Sequence, residues 1–254
     1  MTDLDFASLT PGLVPEAERE ADEDASREVD PWHARRAEGF GASEIAALLI
    51  GLGRREAVNV TQRTAKNARV IRGTMGQSRI IAEKAGIKRP LAHSGGGERE
   101  KELLEAWAAT LPDDGWLRRE TVTHASIVPR ELWTPTRDPL CHRLAVSLDG
   151  WCRDVLGGLV VAEAKCADIE WDHMHENRAP WYWEVQVQAQ LAATGCELGM
   201  LVLGRGWAYR DGPIDVWPIE RDEAVIAEIR SAVVEGWERV EALKARVKEM
   251  RNAD

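Results

Sequence analysis

At 254 residues the chain is long enough to bury roughly 70–75% of its extended surface in one sizeable core. No apolar run approaches the ~18 residues a membrane-spanning helix needs, and the acidic amino terminus is unlike a secretory signal, so the sequence reads as cytoplasmic and free of membrane. The net charge of −10 opposes a nucleic-acid partner only at first sight. Residues 1–30 hold ten acidic and two basic side chains, which leaves −2 for all the rest, and a nearly neutral body can still focus positive potential in a groove. The four cysteines (Cys141, Cys152, Cys166, Cys196) form no C-x-x-C pair and read as reduced thiols. With 11 Trp against 2 Phe and 2 Tyr, indole rings carry most of the aromatic packing.

Residues 1–30 read as an acidic mobile tail, and 31–254 as a single domain beginning near Pro31 and Trp32. Gly39 to Ser43 lead into an apolar run ending near Leu49, where Ser43 either caps a helix or helps hold a phosphate with a nearby arginine. Residues 51–78 are basic, suiting a solvated face or a DNA path. Ile80 to Ala85 reads as a helix stopped by Gly86, and Ser94 to Gly97 is the clearest punctuation in the chain. From Glu98 to Leu111 the pattern is helical, with Leu103, Leu104 and Trp107 on one stripe and Glu100 one turn before Leu104 on that same side. Strands are expected around Trp116–Ile127 and Leu132–Thr134.

The next stretch carries the chemistry. Leu144, Val146 and Leu148 alternate with small or polar residues and bring Asp149 and Gly150 to a turn. A second extended run, Leu159 to Ala164, carries Glu163 and Lys165 outward on one side-chain phase, with Gly157-Gly158 as the turn between the arms. Two carboxylates and an ammonium in a small volume call for a shared proton or a divalent cation, and Mg²⁺ takes oxygen ligands of this kind. The stretch reads as a metal-dependent phosphodiester-cleaving site.

From Pro180 the pattern is helical again, with Trp183, Val187 and Leu191 on one face and Gly195 as terminator. Gln186 and Gln190 lie four apart, while Gln188 faces elsewhere. Glu197–Leu203, Trp207–Arg210 and Ile214–Ile219 read as strands, and a last helix should run from about Asp222 to Met250 behind a stripe from Val225 to Val247. His173 and His175 fit an exposed polar loop, and nothing resembles a zinc module.

Several motifs recur in a telling order: Trp32 through Arg35 with Gly41-Ala42-Ser43; Glu83 to Gly86; Gly96 through Glu100 and on to Trp107; Ser147 to Gly150; Glu163 to Cys166; Trp171; and Trp181 to Gln188 through Thr194-Gly195. In this order the chain, from Trp32 to about Gly204, resembles the YqaJ and lambda-exonuclease type of phage recombination nuclease, a branch of the PD-(D/E)xK nucleases. Leu148 stands where that family commonly has proline. The resemblance implies an α/β fold (α+β by some schemes) with a restriction-endonuclease-like core, a central mixed sheet flanked by helices, and a long C-terminal helix. It implies a 5′-to-3′ exonuclease on linear double-stranded DNA in a bacterial or phage-infected cell, using one or two Mg²⁺ or Mn²⁺ ions. Homo-oligomers, often ring-shaped trimers, and a single-strand-annealing partner belong to the same picture.

Carried over by residue, Glu100 matches the helix-borne acid, Asp149 the metal-binding aspartate, and Glu163 and Lys165 the E-x-K pair. Gln188 or Gln186 matches the glutamine that orders the site, and Arg35 and Ser43 resemble the residues that hold the terminal phosphate. Asp149, Glu163, the Ala164 carbonyl and Glu100 would then hold the metal while Lys165 orients or deprotonates the attacking water. The competing readings are a non-catalytic DNA-binding scaffold for recombination and a structure-specific endonuclease of the same superfamily.

Overall fold

The computed structural model describes residues 37–56, 58–61, 69–72, 74–87, 96–125, 136–167, 179–205 and 214–253. The expected acidic tail, Arg35, the strand around residues 132–134, Trp171, His173, His175 and the strand at 207–210 lie outside them.

A 3-10 turn (Ala42–Glu44) opens into α1 (Ile45–Gly51), followed by a hairpin of β1 (Val58–Thr61) and β2 (Arg69–Arg72). Then come α2 (Thr74–Lys84), α3 (Gly96–Thr110), β3 (Leu117–His124), β4 (Thr136–Asp138), β5 (Cys141–Val146) and β6 (Gly150–Asp154). The chain ends with β7 (Leu159–Ala167), α4 (Trp181–Thr194), β8 (Leu198–Arg205), β9 (Ile214–Glu220) and α5 (Glu223–Ala253).

The central sheet has the order β3-β6-β7-β8-β9, so among the described residues β3 and β9 are its edges. It is mixed: β7 and β8 run parallel, with α4 as their crossover, and the other pairs are antiparallel. Side-chain alternation on β7 and β8 splits the core into two layers. On one face, Leu103, Leu104 and Trp107 of α3 pack with Val160, Ala162, Ala164, Met200 and Val202. On the other, Val161, Leu201 and Leu203 meet α4, α1 and α5. This is the expected architecture of a mixed sheet flanked by helices with a long C-terminal helix.

α4 starts after Pro180 and stops at Gly195, whose φ of 73° is comfortable only without a Cβ. It is buried on nearly every side, not along one stripe, because α1, α5 and the sheet enclose it. Its polar residues are therefore inside the molecule, where each needs a partner.

Two expectations change. β5 is not the arm beside the Glu163 strand. It pairs with β4 as a separate two-stranded unit, and the Ser147–Asp149 link carries the chain on to β6. Phe40 holds β5 in place through Phe40 N–H to Arg143 O at 2.6 Å and Ala145 N–H to Phe40 O at 2.9 Å. The Asp138 carboxylate of β4, fully buried, is gripped by Arg230 of α5 through Nε to Oδ2 at 2.7 Å and Nη2 to Oδ1 at 3.2 Å. Ser43, secondly, does not cap a helix but lies exposed within the 3-10 turn. The start of that turn is tied instead by Gly41 N–H donating to Glu44 Oε2 at 2.6 Å.

α5 begins at Asp222, whose Oδ1 accepts from the N–H groups of Ala224 (2.8 Å) and Val225 (3.2 Å) as an N-cap. Its stripe Ile226, Ile229, Val233, Trp237 and Val240 is buried. Among the described residues no helix is long and apolar enough to cross a membrane.

Candidate active site

β7 runs further than its antiparallel neighbour. The last β6–β7 pair is Gly150 with Ala162, and two residues on, Ala164 turns its backbone to the same edge with no strand of the described residues opposite. The Asp149 carboxylate fills that place: Ala164 N–H donates to Asp149 Oδ2 at 3.0 Å. The Ala164 carbonyl faces the same gap by strand geometry. Asp149 is itself fixed from just beyond β3, where Ala125 N–H donates to its carbonyl at 2.9 Å. Glycine is required beside it, since a Cβ on Gly150 would sit 2.6 Å from both Leu104 Cδ1 and Thr123 O.

Glu163, on the opposite side-chain phase, has no exposed surface. Its Oε1 accepts from the Lys165 ammonium and from the Gln186 amide, and its Oε2 accepts from Gln190 Nε2 at 2.5 Å. Gln190 Nε2 also donates to Ser147 O at 3.1 Å. A buried carboxylate without such donors would be too costly to keep. Gln190 Oε1 is buried with no hydrogen-bond partner among the described residues, a desolvation cost of about 1–3 kcal/mol.

The titration of these groups shows how crowded they are. Burial pushes Asp149 up to about 6, opposed by Lys165 and reinforced by Glu100. Burial and then the Asp149 charge push Glu163 up to about 7. Glu100, half-buried on α3, is raised by burial, with Lys165 and Glu163 both close enough to act on it. Burial alone would lower Lys165, but Glu163 and Asp149 outweigh it and hold the ammonium above its ordinary value. Three carboxylates thus face one ammonium.

A pH dependence follows. In the unfolded chain Asp149 and Glu163 titrate at their ordinary values of 3.8 and 4.5, whereas in the fold they keep their protons to about 6 and about 7. The folded state binds more protons across that window, so this contribution to stability is complete below about pH 4 and is lost as pH rises through 6 to 7. In chelator, the melting temperature should therefore fall between pH 5 and 8. Glu163→Gln should flatten the fall; an unchanged slope in that variant would place the cause elsewhere.

The structure brings Glu100, Asp149, Glu163, Lys165 and Gln186 together. It does not bring Gln188, whose Nε2 donates to Glu220 O at 2.7 Å and whose Oε1 accepts from Asp222 N–H at 3.0 Å. Two residues along a helix amount to a turn of about 200°, which points Gln188 away from Gln186 and toward the β9–α5 junction. There a cavity of about 770 Å³ opens between Glu184, Trp217, Glu220 and Arg221, with none of Glu100, Asp149, Glu163 and Lys165 in its lining. Gln190 takes the place that Gln188 does not fill, and its spacing of four from Gln186 was the signal for it. Among the described residues no group of three or more His, Cys, Asp and Glu side chains is gathered closely enough to hold an ion as it stands. In this arrangement the oxygens of Glu163 already accept from Lys165, Gln186 and Gln190.

No protein-family model matches the sequence, and no curated protein matches it. Among solved structures, the chain is similar to an alkaline exonuclease (LHK-Exo) from Laribacter hongkongensis, with a TM-score of 0.59 at 19% identity over 89% of this chain and 99% of that one. LHK-Exo in complex with dAMP matches with a TM-score of 0.58 at 20% identity, over 87% and 97% of the two chains. A phage-related exonuclease from Haemophilus somnus 129PT is matched at 14% identity, with a TM-score of 0.49 over 84% and 96%. At these identities the likeness to LHK-Exo is one of fold, and it runs nearly the whole length of both chains.

Proposed function

We propose that this chain is a divalent-metal-dependent nuclease that degrades linear double-stranded DNA from its 5′ ends, in recombination by single-strand annealing. One observation carries the reading: Asp149 and Glu163 flank Ala164 at the open end of β7, beside the Lys165 ammonium and within electrostatic reach of Glu100. The fold shared with LHK-Exo supports it.

The donor set fits a hard cation. Asp149, Glu163, Glu100 and the Ala164 carbonyl offer only oxygen, and three carboxylates against one ammonium leave negative charge that Mg²⁺ or Mn²⁺ would balance. Such an ion, when bound, neutralises charge at a scissile phosphate and acidifies water. The chain's own residues do the rest. Gln186 and Gln190 fix the plane of the Glu163 carboxylate. Lys165, held protonated by its carboxylate neighbours, donates to the attacking water or a phosphate oxygen. Ser43 and Arg35 would receive the 5′-terminal phosphate. A homo-oligomer, in ring form a trimer, and a single-strand-annealing partner complete the proposal.

A second reading, a DNA-binding scaffold without catalysis, is favoured by the way protein donors already occupy Glu163. Three substrates separate the readings: linear duplex with 5′-phosphate, the same duplex with 5′-hydroxyl, and a covalently closed circle, each in Mg²⁺, Mn²⁺ or chelator. The expected result is shortening of linear DNA alone, fastest from 5′-phosphate and absent in chelator. Cutting of the closed circle would make the chain an endonuclease, and binding without cleavage in either metal would make it a scaffold.

A further inference from the structure

We propose that Gln190 is a positioning residue that locks the Asp149 segment to Glu163, so that both carboxylates meet one cation as a unit. This rests on the metal-dependent reading above. Gln190 has no exposed surface, and its single NH₂ group is fully engaged: one hydrogen reaches Glu163 Oε2 at 2.5 Å and the other Ser147 O at 3.1 Å. These acceptors lie 27 and 43 residues away in the chain, on β7 and just ahead of Asp149.

The orientation of the amide is dictated by its neighbours. A peptide carbonyl can only accept, so a flipped amide would set its own oxygen against Ser147 O whatever the protonation of Glu163. The unflipped form leaves Oε1 buried without a hydrogen-bond partner among the described residues. A side chain kept with one end unsatisfied is kept for its other end. Among the described residues, Gln186 by contrast donates only to the other oxygen of Glu163. Gln190 spans the Ser147–Asp149 link and β7 with one amide, bonding both the Ser147 carbonyl and Glu163, in addition to the tie that the Asp149 carboxylate makes to Ala164 N–H. Without it, Asp149 keeps Ala164 N–H and Glu163 keeps Lys165 and Gln186, but the two are no longer tied to one amide, and affinity falls by the cost of bringing them into register when an ion binds.

Titration calorimetry of Mn²⁺ into the full-length, DNA-free protein tests this. Gln190→Met keeps the volume and removes both bonds; it should weaken Mn²⁺ by about 10–100-fold, the range for lost supporting hydrogen bonds around a metal. Gln77→Met, at a buried glutamine of α2 outside the site, should leave affinity unchanged. Raising Mn²⁺ should restore most of the cleavage rate of Gln190→Met, a rescue that a packing defect would not show. Where Gln190→Met does not fold, Gln190→Asn, too short to span both acceptors, should show the same loss. Mn²⁺ affinity within about twofold of the parent overturns the role of Gln190 and spares the metal site. A parent protein that takes up no Mn²⁺ overturns both.

Discussion

Lys165→Met should lower hydrolysis of linear duplex DNA by about 10²–10⁴-fold while the protein still takes up Mn²⁺. The side chain is part-exposed and its ammonium is bound to Glu163, so the substitution removes charge without opening the core. It also removes a donor that competes for Glu163 Oε1, so metal affinity should hold or rise. Asp149→Ala should behave differently, since Asp149 supplies both an oxygen ligand and the acceptor for Ala164 N–H. That variant should lose cleavage and metal affinity together. Cleavage and calorimetry on the two proteins therefore separate a group that acts on water or phosphate from one that holds the ion. Parental rates in both would remove this cluster from the chemistry.

Arg230→Met should produce the largest loss of stability. It strands the Asp138 carboxylate, which is fully buried and, among the described residues, retains only Leu140 N–H at 2.7 Å as a donor. Breaking a buried pair from one side costs about 3–5 kcal/mol, or roughly 6–20 °C of melting temperature in a domain of this size. The double variant Asp138→Leu/Arg230→Met, which removes both charges, should recover most of that loss. Thermal unfolding of the three proteins checks it. A drop of under about 1 kcal/mol in the single variant would show that the carboxylate finds another donor or a proton.

What could be read from the sequence was whatever depends on neighbours along the chain. Pro180 and Gly195 bound α4 because one presets φ and the other tolerates a positive one, and both effects are local. Leu103, Leu104 and Trp107 marked a buried face because helical spacing decides which side chains share a side. Glu163 and Lys165 share a strand face for the same kind of reason. The partner of β5 was not legible, since alternation reveals the face a strand buries but not which strand lies beside it. The choice among the glutamines was open because α4 is buried all round, and apolar periodicity cannot orient a helix with no wet side. Only the position of β7 decides that Gln186 and Gln190 face Glu163 while Gln188 ties the β9–α5 junction.

The order of the central sheet bears on how copies of this chain can associate. At one rim β3 holds out Arg118, Arg119 and Glu120, all exposed, and at the other β9 carries Pro218, which has no N–H to offer. Charge and proline are the usual guards against templated strand growth. Among the described residues, neither rim invites a second molecule to extend the sheet. A closed ring of subunits would then be joined through surfaces other than these two rims.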